Sequence, residues 1–139
     1  MKESLIFIHK NDFFSINSFQ LRMNFIYEHT NDLHTVHLEL NGKKIGKCSV
    51  TGNLKETCSV SIHIDEKYQG LGYSKLMWKK MFENMKDIPE LLFIDADASE
   101  GYWDHIGFVP NRYGYDYKGR RDLIGKGYEK VIRFRNFYQ

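Results

Sequence analysis

Residues 57–85 read TCSVSIHIDEKYQGLGYSKLMWKKMFENM, and a change of rhythm inside this stretch decides the fold. Up to Ile64 the apolar residues alternate: Val60, Ile62 and Ile64 share one face, and period two marks a strand. Past Ser74 the period lengthens. Met77, Met81 and Met85 are four apart, as are Trp78 and Phe82, which is a helix with a broad apolar face. Between them lies Gln69-Gly70-Leu71-Gly72-Tyr73-Ser74. A strand that passes through a glycine turn into a helix aims successive backbone N–H groups and the positive end of the helix dipole at one point. Gly70 and Gly72 keep Cβ atoms out of that approach. Lys75, Lys79 and Lys80 sit on the first turns, where they would reach outlying phosphates. The turn reads either as a plain strand-to-helix connection or as an anion cradle. It is not a P-loop, since the spacing and the Lys-Ser/Thr pair are missing. It is not a dinucleotide fingerprint either, having no third glycine and following strands that read as antiparallel.

Upstream, the chain reads as a meander. Residues 4–9, SLIFIH, suggest a short strand, and Asn11-Asp12 suggest a turn. From Ser18, SFQLRMNF alternates with Phe19, Leu21, Met23 and Phe25 on one face, a half-buried strand. Thr30-Asn31-Asp32 is a polar break. His34–Leu40 puts Val36, Leu38 and Leu40 on one face. Asn41-Gly42 is the strongest short hairpin signal in the chain, because a type I′ turn needs positive φ at both central residues. KKIGKCSV returns as the partner strand, and Gly52-Asn53 marks a further turn. Cys48 and Cys58 fall on neighbouring predicted strands; two cysteines make no disulfide framework, and free buried thiols are expected.

Downstream, Asp87 to Pro89 end the helix. LLFIDADA has a continuous apolar start, the pattern of a central strand. SEGYWDHIGF reads as a short helix, with Ser99 able to cap it and Gly107 suited to its stop. Residues 108–126 are rich in Gly, Tyr and charge and read as irregular. GYEKVIRF closes as a strand in which Tyr128, Lys130 and Ile132 oppose Glu129, Val131 and Arg133. The 139 residues, 42% hydrophobic and 27% charged, with two prolines and no repeat or linker, fit a single domain spanning 1–139. A formal net charge of +2 implies no nucleic-acid partner by itself. No run approaches a membrane span, and the N-terminal apolar run is too short for a signal peptide, so a cytoplasmic location is expected.

The turn at Gln69–Ser74 resembles the Gln/Arg-x-x-Gly-x-Gly/Ala turn of the GNAT superfamily of acyl-CoA-dependent N-acyltransferases. SIHID before it is similar to that family's hydrophobic fourth strand. The helix after it, the next strand, the short helix ending in Gly107-Phe108 and the closing strand follow in the family's order. The likeness covers residues 34–139. It implies an α+β fold whose central, mostly antiparallel sheet contains a strand-helix-strand crossover, here with few or no N-terminal helices. It implies an enzyme moving an acetyl group from acetyl-CoA to a primary amine by direct attack on the thioester. Backbone amides of Gln69, Gly70, Leu71, Gly72, Tyr73 and Ser74 would hold the CoA pyrophosphate. The main chain of Ile62, His63 and Ile64 would pair with the pantetheine arm. The strand at 91–97 would diverge from its neighbour, and N–H groups freed at that wedge would bind the developing oxyanion.

Departures from the family pattern are informative. Ser74 replaces the final Gly/Ala. Trp103 stands where many relatives carry a Tyr that protonates the leaving thiolate; tryptophan cannot do so, and the role moves to Tyr102, to another residue or to water. Ala96 replaces an Asn that contacts CoA, and Cys58 stands where some relatives have a catalytic Glu. The strand-like SFQLRMNF replaces the helices that usually wall the acceptor site.

A lysine-type amine costs about 4–5 kcal/mol to deprotonate at neutral pH and an α-amino group about 1–1.5 kcal/mol, so a side-chain amine needs more help from a base. His63, on the strand beside the expected thioester, leads as that base. His37 and Glu39 on a neighbouring strand are weaker alternatives, and His105 reads as a helix-face residue. Asp95, Asp97, Glu100 and Asp104 read either as an attractor for a cationic amine or as the solvated start of a short helix. No Cys/His set has metal-ligand spacing, so no metal is expected. From Arg112 to Arg135 eight Lys/Arg face three Asp/Glu with tyrosines interleaved. That mixture suits CoA phosphates, an acceptor groove or single-stranded nucleic acid, and it reads first as a solvated loop that orders on substrate binding. Two alternatives to the enzyme follow: a CoA- or ligand-binding module without turnover, and a nucleic-acid-binding protein using this tail. The partners expected are acetyl-CoA and a small-molecule or peptide amine, without a membrane. A second copy pairing through an exposed final strand is a further expectation.

Overall fold

In the computed structural model, which describes residues 4–16, 19–52, 57–94, 101–110 and 130–137, Asn41 and Gly42 take φ of 51° and 81°. Both central residues of the hairpin are therefore left-handed, as the type I′ turn demands. The turn joins β3 (Leu33–Leu40) to β4 (Lys43–Gly52). Asn41 also ties it to the strand on the other side. Its N–H donates to the Arg22 carbonyl at 2.8 Å, and its Oδ1 accepts from the Arg22 N–H at 2.9 Å.

The chain forms two compact units, Met1–Val50 with Ser61–Lys86, and Thr51–Val60 with Asp87–Gln139. In the first, the hydrogen-bonded order is β1 (Ser4–Ile16), β2 (Phe19–Thr30), β3, β4 and the later half of β5 (Thr57–Ile64). β1 pairs with β2, and β2 with β3, antiparallel. The turn expected at Asn11-Asp12 does not form. β1 runs straight through these residues, and its register slips by one between His9 and Asp12. Asn11 is absorbed with Lys10 in a bulge, which needs only one extra residue on one strand, and Asp12 pairs with Met23.

On one face of this sheet Met23, Phe25 and Tyr27 of β2 and Val36, Leu38 and Leu40 of β3 are buried. Helix α1 (Tyr73–Asn84) packs on β2 and β3. It buries Met77, Trp78, Met81 and Phe82, side chains that each contribute about 1.5–3 kcal/mol when fully removed from water. Gly46 lets the helix approach. A Cβ there would lie 3.3 Å from both Met77 Sδ and Ile64 Cγ1.

In the second unit the order is β5, β6 (Leu91–Ile94), β8 (Lys130–Arg133), β7 (Val109–Pro110). β5 and β6 are parallel over Thr57–Ser59, and β8 is antiparallel to both β6 and β7. All four residues of β6 are buried, as expected for a central strand. The fold is α+β with a mixed sheet, and β5, α1 and β6 are its strand-helix-strand segment.

Helix α2 (Tyr102–His105) starts at Gly101, φ 108°, with no side-chain cap among the described residues. Gly107, φ 106°, does end it. The Gly107 N–H donates to the Asp104 carbonyl at 3.1 Å and the Phe108 N–H to the Trp103 carbonyl at 2.9 Å, the paired bonds of a Schellman stop. The closing strand differs from its alternating pattern. Lys130, Val131 and Ile132 are all buried, so both faces of β8 are covered at these positions. β7 pairs with Lys130 and Val131, so over these two residues the final strand is not the exposed edge that was expected. Val109–Pro110, read as irregular, form the short β7. A one-turn helix α3 (Phe134–Phe137) follows β8. The calls at Asn53, Asp95, Ala96, Asp97, Ser99 and Glu100 and in the tail at 111–129 lie outside the described residues. Both cysteines are buried thiols outside any disulfide among the described residues.

Candidate functional site

β5 delivers the chain to the glycine turn, and backbone bonds set the path. Asp65 N–H donates to the Ile45 carbonyl at 2.8 Å, fixing the strand end against β4. A 3-10 turn at Glu66–Tyr68 follows. Gln69 then clasps the loop: its N–H donates to the Glu66 carbonyl at 3.2 Å and its side-chain Nε2 to the Ile64 carbonyl at 2.8 Å. Gly70 and Gly72 take φ of 75° and 83°, left-handed values that glycine adopts at little cost. Gly72 is also the N-cap residue of α1, with no side chain closing the helix end.

Gly70, Leu71 and Gly72 are exposed, and a Cβ on either glycine would meet no atom within 4 Å. The glycines are thus required by backbone conformation, and the surface they leave is open. The first N–H groups of a helix lack intrahelical partners. The first turn of α1 carries no acidic residue, so its positive field is not cancelled. Lys75 and Lys79 are exposed, whereas Lys80 turns to the sheet, its Nζ 5.8 Å from the Phe25 ring centre. The arrangement suits an anion with several oxygens.

The structure brings Ile62, His63 and Ile64 together with residues 69–74 in the first unit. Ile62 and Ile64 are half-buried while His63 is exposed, its Nε2 3.5 Å from Asp65 Oδ1. Tyr102 belongs to the second unit. Its ring is half-buried and meets Trp103 edge-on at 5.1 Å, and Trp103 is itself buried against Phe108. Asp104 is not an unengaged attractor for an amine: both its oxygens accept from the Lys130 ammonium, at 2.7 and 2.8 Å. Cys58 is sealed in the core. His37 is half-buried with Nε2 3.6 Å from Glu28 Oε2. Burial lowers its pKa most, Lys44 and Lys47 lower it further, and Glu28 opposes them.

One group of titratable residues escaped the sequence reading. His34 and His29 are directly opposed in the β2–β3 ladder and stack at 4.0 Å, and the Tyr27 hydroxyl hydrogen-bonds with His34 Nδ1 at 2.5 Å. The break at Asn31-Asp32 carried the signal. A two-residue turn there pairs Thr30 with Leu33, and His29 with His34 follows.

No protein-family model matches the sequence, and no curated protein matches it. Among solved structures the chain is similar to a Pyrococcus horikoshii protein provisionally described as an acetyltransferase. The identity is 18%, the TM-score 0.45, and the match covers 55% of this chain and 28% of that one. It is also similar to an acetyltransferase of the GNAT family from Streptococcus pneumoniae, with 19% identity and a TM-score of 0.46, covering 73% of this chain and 66% of that one. At these scores the likenesses carry no weight for activity or substrate, and in both cases the match spans less than two thirds of the neighbour.

Proposed function

We propose that the chain is an acyl-CoA-dependent N-acyltransferase that moves an acetyl group from acetyl-CoA to a primary amine. The observation that carries this reading is the exposed Gly70–Gly72 turn at the uncapped, acid-free N-terminus of α1. Its chemistry fits a pyrophosphate: backbone N–H donors, a positive helix end and two exposed lysines, with no carboxylate in the first turn. Gly70, Leu71, Gly72, Tyr73 and Ser74 hold the phosphates, while Gln69 spends its own donors on keeping the turn closed. The main chain of Ile62, His63 and Ile64 lies alongside the pantetheine arm.

The neutral amine nitrogen forms the new bond to the acyl carbon as the carbon–sulfur bond breaks. The amine proton leaves to His63, directly or through water, and the thiolate is reprotonated by Tyr102 or water. His63 is suited to the base role by its exposure on β5. The protein works in the cytoplasm as a single functional domain.

A second reading, a CoA-binding module without turnover, is favoured by one observation: Trp103 and Cys58, at the family's usual acid and base positions, are buried and engaged in packing. A panel of amines, from α-amino acids to polyamines and lysine peptides, tests both through release of free CoA. Turnover with any amine removes the second reading. Saturable acetyl-CoA binding without turnover removes the first, and absence of CoA binding removes both.

A further inference from the structure

We propose that Asp65 is a positioning residue for His63: its carboxylate holds the imidazole and stabilises the positive charge the ring gains as it takes the amine proton. The inference rests on the reading of His63 as the base of the acyl transfer, and gives that base a partner two residues away. His63 Nε2 lies 3.5 Å from Asp65 Oδ1. Residues two apart on an extended chain project to the same side, so the strand end itself brings the two side chains together. Asp65 occupies the N-cap position of the 3-10 turn Glu66–Tyr68. An aspartate there ordinarily turns its carboxylate onto the N–H groups that follow, but that of Asp65 makes no capping bond. Neither the Asp65 nor the His63 side chain has another ion pair or hydrogen bond among the described residues.

The backbone beneath the pair is fixed. The Asp65 N–H donates to the Ile45 carbonyl, the Tyr68 N–H to the Asp65 carbonyl and Gln69 Nε2 to the Ile64 carbonyl, each at 2.8 Å. The freedom left to the pair is that of two side chains. The other charged groups of the segment are Glu66 and Lys67, both exposed, and the Lys67 ammonium lies 5.5 Å from the Tyr68 ring centre. At 3.5 Å the contact between His63 and Asp65 is longer than a hydrogen bond and acts through charge. A carboxylate favours the tautomer whose N–H points toward it, so Nε2 carries the hydrogen and Nδ1 the lone pair. The amine proton then arrives at Nδ1 as the nitrogen–carbon bond forms, the imidazolium keeps its Nε2–H beside Asp65, and the proton passes on to water. The side chains are 78% and 42% exposed, so the pair has the strength of a surface ion pair, up to about fivefold in rate.

Two measurements on the intact protein test this. NMR reads the ring without any substrate. At about pH 8.5, where a histidine is ordinarily neutral, the ring nitrogen shifts of His63 should place the lone pair on Nδ1. Its χ1 couplings should show one prevailing rotamer, and they should average in Asp65→Ala. Turnover reads the charge. At saturating acetyl-CoA, Asp65→Asn should lower kcat about three- to fivefold and leave acetyl-CoA affinity within about twofold, while Asp65→Glu, which keeps the charge, recovers most of the loss. In a His63→Gln background, adding Asp65→Asn should cost nothing more, because the two act as a unit. A lone pair on Nε2, or couplings alike in wild type and Asp65→Ala, overturns the proposal whether or not any amine is turned over. A full additional loss in the double variant overturns it as well. An ordered ring with its lone pair on Nδ1, together with no turnover of any amine, supports the pairing and overturns the transferase reading instead.

Discussion

Acidification should unfold this protein partly through one imidazole, that of His34. His34 is 2% exposed, its ring stacks on His29 at 4.0 Å, and its Nε2 has no hydrogen-bond partner among the described residues. On its other side Tyr27, whose pKa burial pushes up to about 12, keeps its proton and hydrogen-bonds with Nδ1. Charging His34 places a cation in a site that cannot solvate it, beside a second imidazole. Burial first, then His29, lowers its pKa from 6.5 to about 4, against a small opposing pull from Asp32. In the unfolded chain the ring takes its proton near pH 6.5, so between pH 6.5 and 4 the unfolded state binds more protons than the folded one. Stability from the neutral ring is complete above pH 6.5 and drains away as the pH falls to about 4. At 1.36 kcal/mol per unit the loss is about 3 kcal/mol, a large part of a typical total of 5–15 kcal/mol. For a chain of this length that is about 10 °C in Tm. Urea denaturation at pH 7.5, 6, 5 and 4 on the wild type and His34→Gln measures it. The variant starts less stable and loses about 3 kcal/mol less over the range. His37, also lowered, is present in both proteins and cancels. Parallel loss in the two proteins would refute the assignment.

Three further outcomes follow from the same geometry. Gly72→Val forces a branched side chain to φ 83°, and with strain of about 1–2 kcal/mol or more acetyl-CoA affinity should fall at least tenfold in calorimetry, while the circular dichroism spectrum stays that of the wild type. Gly46→Leu drives a side chain into Met77 and Ile64, each 3.3 Å from its Cβ position; thermal denaturation should show a loss of about 1–3 kcal/mol. Asp104→Ala should cost more than Lys130→Met, because the Lys130 side chain is 9% exposed and that of Asp104 59%. Taking the carboxylate from a buried ammonium is the more damaging half of the exchange, and equal losses in denaturant would contradict that.

What could be read before the structure was local. The hairpin at Asn41-Gly42 announces itself because positive φ at two successive residues restricts the choice of side chains. Helix α1 announces itself because five apolar residues repeat at helical spacing. The misreadings have physical causes too. Asn11-Asp12 reads as a turn on composition, but a strand already bonded to β2 accommodates one extra residue more easily than it reverses. The alternation of GYEKVIRF sets Lys130 on one face with Ile132 and leaves its charge without a partner in view; that partner is Asp104, 26 positions away, which no local window contains. Gly46 looks like a weak point in a strand, and its reason lies in α1.

The same division explains why the proposed phosphate turn is legible and the proposed catalyst is not. An anion cradle is made of backbone: two left-handed glycines, a helix end and the absence of nearby acid, all of them properties of one continuous segment. Gln69 strengthens this self-sufficiency, since its carboxamide closes the loop on Ile64 within the segment. A general base is a side chain whose environment is supplied by other strands. His63 and His37 show the difference. The two stand on strands of the same unit, yet His63 is exposed beside Asp65, while His37 is half-buried between Glu28 and lysines of β4 and has its pKa lowered. HID contains the Asp65 that His63 stands beside, but nothing in VHL announces Glu28 of β2 or the lysines of β4 that surround His37. The rank order of the two histidines as bases is therefore a property of the assembled sheet. His63→Ala and His37→Ala, compared for turnover with CoA binding held as the control, are the substitutions that would read it out.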